Sequence, residues 1–288
     1  MSVQPPSPPP EPSVVPRCAL HAVPRTLLIP LAARAWGGER FPWLASADHD
    51  ARRLLACVEP HARALLDDTI VVLNVLWRTR VLKEVGGRFF AAHPRAAGVN
   101  LGCGLSNPFQ WLDTGRNSWL DADLAEVVAL RRSVLPARPP RWHDDTVDLR
   151  APGWWSRLGL PGSLPGRAPA TPVFVVCEGV LMYLQPRQVR GVLEEFARHA
   201  PPGSQLLADF ISHLGVGQAR HLPSLAHSRA QFHWGASHWS DFTDAHPRLR
   251  LLQRRSAAEC YGWWARVAEA GCEPLLGPAL YGMALVGV

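Results

Sequence analysis

The sequence predicts an α/β fold, in which a doubly wound, mostly parallel, Rossmann-like sheet carries a helical N-terminal cap and a lid insertion. The first observation is a regular alternation of strands and helices between residues 97 and 210. The predicted strands are 97–101, 118–122, 141–143, 173–177 and 205–210, and the clearest helices are 124–133 and 186–199. The second is a Gly-Cys-Gly turn, 102–104, directly after the first strand, with an acidic residue at the end of the next. Ligands of such sheets bind outside the carboxyl ends of the strands, so we expect a ligand site at that edge.

The elements on either side of this core have distinct patterns. Residues 1–17 are rich in Pro and Ser, lack the apolar segment of a signal peptide, and predict a disordered tail. Residues 18–288 are predicted to form a single domain. It comprises a helical cap (18–92), a cofactor-binding core (93–212), an irregular lid rich in His and Trp (213–248), and a C-terminal part (249–288). In the last part we expect a strand at 249–252, a helix at 256–270 and a strand at 279–288.

Apolar residues recur every four positions in the last part of the cap, within 67–93. Such a row predicts a helix with one face in the core. The residues of the row are Leu73, Trp77, Val81, Val85 and Phe89.

Composition excludes several classes of partner. The chain has 288 residues, 47% hydrophobic and 19% charged, and a formal net charge of +6. The basic residues are nearly all scattered arginines, with Lys83 the only lysine, so we expect no nucleic-acid partner. No apolar run approaches the ~18 residues that span a bilayer. The six cysteines lack paired metal-ligand spacing, which predicts free thiols, no metal site and a reducing, cytoplasmic location.

The glycine turn also restricts the kind of cofactor. Gly102 and Gly104 let the backbone approach a ligand closely, and Asp123, nineteen residues after Gly104, is placed to accept hydrogen bonds from ribose hydroxyls. A dinucleotide fingerprint requires a third glycine where this chain has Asn107, and a phosphate-binding loop ends in Gly-Lys-Ser/Thr. A nicotinamide oxidoreductase is therefore disfavoured. The loop suits a nucleoside cofactor without phosphates, and we expect S-adenosylmethionine (SAM).

Four segments stand out along the chain: TLLIPLAAR (26–34), LWRTRVL with VNLGCGL (76–82 and 99–105), DADLAEVVALRR (121–132) and CEGVLMYL (177–184). Together they resemble the leucine carboxyl methyltransferase superfamily, and within it the SAM-dependent O-methyltransferases of aromatic polyketide pathways, the tetracenomycin type. The ending FHWG…HPRLRLL (232–252) also resembles that subgroup. The resemblance implies a class I methyltransferase fold and a small-molecule substrate, methylated on a carboxylate or a phenol. A protein C-terminal carboxylate is the second substrate class that it allows.

The resemblance also implies roles for particular residues. Arg78 is expected to bind the methionine carboxylate of SAM, and Glu178 to face its amino group. Gly102, Cys103 and Gly104 admit the methionine and ribose portion, Asp123 and Leu124 contact the ribose, and Asp148 with Leu149 lies beside the adenine. An alternative role for Asp123 is to cap the helix that starts near Leu124.

Two residues are candidates for contact with the substrate. A carboxylate acceptor is ionised at pH 7, whereas a phenol requires a base. Of the lid histidines 213, 221, 227, 233 and 238, His233 is the best candidate base because Phe232 and Trp234 flank it. Tyr183, close behind Glu178, is the second candidate, with contact to substrate and structural packing as its two alternative roles.

The chain departs from the family pattern at two places. Residues 106–108 are Ser-Asn-Pro where Asp-Thr-Arg is usual, and Lys83 replaces an acidic residue. These departures leave open a cofactor-binding protein with altered or lost methyl transfer.

Overall fold

The computed structural model describes residues 25–56, 62–135, 139–161, 171–222, 225 and 230–288. Within these ranges seven strands form one sheet of order β3-β2-β1-β4-β5-β7-β6. The first five strands along the chain are parallel, and β7 runs antiparallel to both β5 and β6. The predicted Rossmann-like fold class is confirmed. The strands are β1 Ala97–Leu101, β2 Ser118–Asp123, β3 Trp142–Thr146, β4 Val173–Cys177, β5 Gln205–Ile211, β6 Arg250–Ser256 and β7 Tyr281–Gly287.

Eight α-helices are described around this sheet. They are α1 Arg25–Arg40, α2 His49–Leu55, α3 Thr69–Ala92, α4 Phe109–Leu112, α5 Ala125–Val134, α6 Trp154–Arg157, α7 Pro186–His199 and α8 Trp263–Leu276. The predicted tail at residues 1–17 lies outside the described ranges. No helix of the described part is long and apolar enough to cross a bilayer.

The predicted C-terminal helix at 256–270 is wrong in its position. Strand β6 pairs with β7 as far as Ser256, because an antiparallel ladder continues beyond the apolar residues on which the prediction rested. A short 3-10 segment, Ala257–Tyr261, follows, and α8 begins only after Gly262, whose φ of +94° interrupts the helical path.

The centre of the sheet is buried on both faces, as parallel sheets require. Every residue of β4 is buried. Val173 and Val175 pack on α6 and α7 on one side, and Phe174 and Val176 pack on α3 on the other. The predicted apolar row of α3 (73, 77, 81, 85 and 89) is confirmed as core, with no member more than 5% exposed.

Helix α1 covers the glycine turn that follows β1. Its buried residues, among them Leu31 and Ala32, pack with Leu54 of α2 in a third apolar cluster. A methyl group added to Gly104 would lie 3.0 Å from the Leu27 side chain. The cap thus forms one wall of a cleft above the carboxyl edge of the sheet.

A partly buried ion pair joins the C-terminal part to α3, and its stability contribution should depend on pH. Glu259 accepts two hydrogen bonds from Arg255, at 2.7 and 2.8 Å, and one from the Trp77 indole at 3.3 Å. Burial raises the pKa of Glu259, but the hydrogen bonds and the charge of Arg255 outweigh burial and bring the pKa below its usual range. A lowered folded pKa adds stability above the ordinary value of 4.5, and this stability is lost as pH falls through the folded pKa.

We therefore expect Glu259→Gln to lower the free energy of unfolding by about 1–2 kcal/mol at pH 7. The difference from wild type should shrink as the pH is taken below 4.5, when urea unfolding is measured at each pH. Glu194→Gln, which removes an exposed pair with Arg198, is the matched control and should change stability by less than about 0.5 kcal/mol. A Glu259→Gln effect that is equal at all pH values would contradict the assignment.

Candidate active site

A cavity of about 840 Å³ lies between the cap and the carboxyl ends of the parallel strands. The structure brings to its wall every residue predicted to contact the cofactor, together with Tyr183. They are Arg78, Gly102, Cys103, Gly104, Asp123, Leu124, Asp148, Leu149 and Glu178. These residues come from the ends of four different strands and from α3, so their convergence depends on the fold and not on proximity in sequence.

The glycine turn has the backbone that its residues predict. Gly102 and Gly104 have φ angles of +63° and +50°, in the left-handed region that favours glycine. A Cβ on Gly102 would lie 2.2 Å from a methyl carbon of Val180, so a side chain has no room there. The main chain is therefore held close to Val180, with the cavity on its open side.

Asp123 fastens the end of β2 to this turn. Its Oδ2 accepts from the Gly104 N–H at 2.8 Å, and its Oδ1 accepts from the Leu124 N–H at 2.7 Å. Burial raises the pKa of the Asp123 carboxyl, and the two amide donors oppose that rise. The alternative capping role is wrong: the N-cap of α5 is Leu124, and the Asp123 carboxylate binds the N–H of that residue rather than an N–H of the first helical turn.

The Arg131 side chain stabilises the glycine turn, and it is not among the site residues predicted from the sequence. The side chain is completely buried and donates to the carbonyl oxygens of Gly104 and Ser106, both at 2.7 Å. It also forms ion pairs with Asp121 and Asp144. The available signal was Asp121, an acidic residue inside a strand, because a carboxylate buried there needs a cationic partner.

Arg78 lies on the cavity wall in a buried network of charges. Its Nε donates to Glu178 Oε1 at 2.5 Å, and its Nη1 donates to Asp209 Oδ2 and to the Tyr281 hydroxyl, both at 2.9 Å. The resemblance assigned Arg78 and Glu178 to the carboxylate and amino groups of one ligand, and the structure places the two side chains in direct contact. Asp209 and Tyr281 were missed.

The remaining predicted cofactor residues follow β3. Leu149 is buried against the cavity, as an apolar contact for an adenine ring requires. Asp148 is half-buried and forms an ion pair with Arg150 at 2.8 Å.

Two of the residues that depart from the family pattern bind residues at or just before α2. Asn107 donates to Asp50 Oδ2 at 2.6 Å, and Lys83 donates to the carbonyl oxygen of Ser46 at 3.1 Å. Neither residue is among the described residues that line the cavity, whereas Ser106 is.

The structure separates the two candidates for substrate contact. Tyr183 lines the cavity, its ring centroid 5.5 Å from that of Phe232, and burial raises the pKa of its hydroxyl to about 12, so it is a neutral phenol at pH 7. His233 does not line the cavity. Its main-chain N–H donates to the Met182 carbonyl at 2.8 Å, and the neighbouring Phe232 lines the cavity instead. Among the described histidines, His221 is the one on the cavity wall, where its Nε2 accepts from Arg220 at 3.2 Å.

Comparison with known proteins identifies a family and several similar chains. The profile of the leucine carboxyl methyltransferase family matches residues 32–197. The tetracenomycin polyketide synthesis O-methyltransferase TcmP of Streptomyces glaucescens is 29% identical over 82% of this chain and 84% of its own. A candidate methyltransferase from Thermobifida fusca has a similar structure, with a TM-score of 0.55 and 17% identity, covering 96% of this chain and 99% of that one. A DUF574 family protein from Streptomyces avermitilis gives a TM-score of 0.51 at 13% identity, over 75% and 83% of the two chains. The two structural likenesses concern the fold alone.

Proposed function

The chain belongs to the leucine carboxyl methyltransferase family, and on that premise we propose that it transfers a methyl group from SAM to an oxygen atom of a small, polyketide-like natural product. The observation that carries the proposal is the convergence of the glycine turn, Asp123, Arg78 and Glu178 on one cavity. The similarity to a polyketide O-methyltransferase over most of both chains supports the substrate class.

The residues of the cavity fit the chemical groups of this cofactor. Asp123 offers carboxylate oxygens to ribose hydroxyls, Glu178 offers one to an ammonium group, and Arg78 offers N–H groups to a carboxylate. Leu149 offers an apolar surface to the adenine ring. The bound cofactor supplies an electrophilic methyl group, so the protein has to align the acceptor and exclude water.

The rest of the cavity wall is mostly apolar, which suits an aromatic substrate. It comes from α1, from the start of α3 and from the segment that follows β5. The apolar residues there are Leu27, Ile29, Pro30, Ile70, Val71, Val75, Leu222, Leu225 and Phe232. A cavity within the usual range of about 300–1,000 Å³ for small-molecule sites suits a compact substrate better than a folded protein.

The acceptor oxygen determines whether a base is needed. A carboxylate is already ionised at neutral pH and attacks without one. A phenol must lose a proton, and His221 is the described cavity histidine that could take it.

Incubation with SAM labelled in its methyl group tests the proposal. We expect label in a panel of aromatic hydroxy acids, and alkaline hydrolysis separates methyl esters from phenol ethers. A peptide with a free C-terminal carboxylate is the competing acceptor. Label on the peptide alone would favour the protein substrate, and SAM binding without transfer to any acceptor would contradict the proposed activity.

Asp123→Ala tests the ribose contact. The variant should bind SAM about 1–3 kcal/mol more weakly in isothermal calorimetry, because the carboxylate accepts charge-assisted hydrogen bonds. Asp145→Ala is the matched control, since Asp145 likewise accepts from the next N–H, that of Thr146 at 2.7 Å, but is exposed and away from the cavity. Equal affinity of wild type and Asp123→Ala would show that the ribose lies elsewhere.

A further inference from the structure

The Asp209 carboxylate joins three separate elements behind the wall of the cavity. Its Oδ1 accepts from the Gly179 N–H at 2.7 Å, on the turn after β4. Its Oδ2 accepts from Arg78 Nη1 at 2.9 Å and from the Tyr281 hydroxyl at 2.5 Å. All three donor residues line the cavity, whereas Asp209 itself is completely buried and does not. Asp209 can therefore affect a ligand in the cavity only through these three donor residues.

Two of the three guanidinium nitrogens of Arg78 donate hydrogen bonds to described residues, and the third, Nη2, donates none to them. Its Nε donates to Glu178, and its Nη1 donates to Asp209 and Tyr281. None of the hydrogen bonds between described residues uses Nη2. Gly179, at a φ of +72°, lies beside this nitrogen, and a methyl group there would lie 3.4 Å from it. Because glycine has no side chain, Gly179 leaves Arg78 Nη2 uncovered on this side.

One guanidinium and two carboxylates give this network a formal net charge of −1. Arg78 is shared by two carboxylates, Glu178 and Asp209, whose side chains are 8% and 0% exposed. If Asp209 balances the guanidinium, then Glu178 keeps a charge for another cation. A free amino-acid group carries both complements, an ammonium for Glu178 and a carboxylate for Arg78 Nη2.

We propose that Asp209 and Tyr281 are positioning residues for the amino-acid end of SAM, fixing Arg78 so that Nη2 faces the carboxylate and leaving Glu178 available to the ammonium group. The proposal rests on the proposed function, because it takes SAM as the ligand. Without Asp209, Glu178 is the remaining carboxylate bonded to Arg78, and the two side chains neutralise each other instead of the ligand.

Calorimetric titration of the full chain tests this proposal with two ligands, SAM and adenosine, which lacks the amino-acid end. Asp209→Asn keeps the size of the side chain and should weaken SAM binding about tenfold to a hundredfold, since a buried charge loses its partner. Tyr281→Phe removes one hydroxyl and should weaken SAM binding about threefold to tenfold. Adenosine should bind wild type and both variants equally.

Arg78→Leu provides the second arm of the experiment. If Asp209 acts through Arg78, Asp209→Asn should change SAM affinity by less than about twofold in the Arg78→Leu background. Thermal unfolding shows whether each variant is folded. If Asp209→Asn does not fold, the titration of Tyr281→Phe decides the question.

Three outcomes would overturn the proposal. The first is wild-type SAM affinity in folded Asp209→Asn or Tyr281→Phe. The second is an equal loss of adenosine binding, which indicates general disruption of the cavity. The third is an equal loss from Asp209→Asn with and without Arg78. Absence of SAM binding by the wild-type protein would instead contradict the proposed function on which the inference rests.

Discussion

Replacement of Arg131 by methionine is expected to lower the free energy of unfolding by about 3–5 kcal/mol, because it leaves the buried carboxylate of Asp121 without its cation. Asp121 and Asp144 both pair with this guanidinium, and their side chains are 0% and 3% exposed. The carbonyl oxygens of Gly104 and Ser106 lose their donor at the same time. The substitution therefore releases the glycine turn as well as destabilising the sheet.

Urea unfolding measures this loss, and the adjacent arginine supplies the control. Arg132 is 63% exposed and lies 3.7 Å from the same Asp144 carboxylate. We expect Arg132→Met to change stability by less than about 1 kcal/mol. Similar losses of stability in the two variants would show that Arg131 is not the cation that compensates the buried charge of Asp121.

The second large effect is on cofactor binding. Arg78→Leu should weaken SAM binding by about 1.5–3 kcal/mol, the range for hydrogen bonds to charged groups, when both proteins are titrated by calorimetry. The free Nη2 edge of the guanidinium is the group that a carboxylate would use. Arg78→Lys should recover only part of the affinity, because an ammonium cannot donate in the same fork.

Two further measurements limit the interpretation of Arg78→Leu. Arg80→Leu, two residues along α3 and exposed, should bind SAM as wild type does. Arg78→Leu also leaves Glu178 and Asp209 without their cation, so its thermal unfolding must be recorded beside the titration. Unchanged SAM affinity in a folded Arg78→Leu protein would remove Arg78 from the site.

The fold was predictable because its signals are local. Strand β4, at the centre of the sheet, is a short apolar run, and the Gly-Cys-Gly turn has positive φ angles that glycine adopts readily. The apolar row of α3 follows from helical periodicity alone. The helix at 256–270 was misplaced because the end of β6 is determined by its ladder with β7, which a local pattern does not contain.

The missed site residues depend on contacts between distant parts of the chain. Asp209 and Arg78 are 131 positions apart, and Tyr281 and Arg78 are 203 apart. An acidic residue within an apolar strand, as in LLADFI, signals a buried partner but does not identify it. The choice of His233 over His221 relied on apolar neighbours, which indicate burial of a segment and not the side on which the cavity lies.

A crystal structure with S-adenosylhomocysteine, the product nucleoside, would show whether the cavity binds the cofactor. We expect its ribose hydroxyls on Asp123, its amino group on Glu178 and its carboxylate on Arg78, with the glycine turn beside the methionine and ribose portion. A ligand bound elsewhere, or a cavity in which Arg78 and Glu178 remain paired with no ligand between the cap and the sheet, would contradict it.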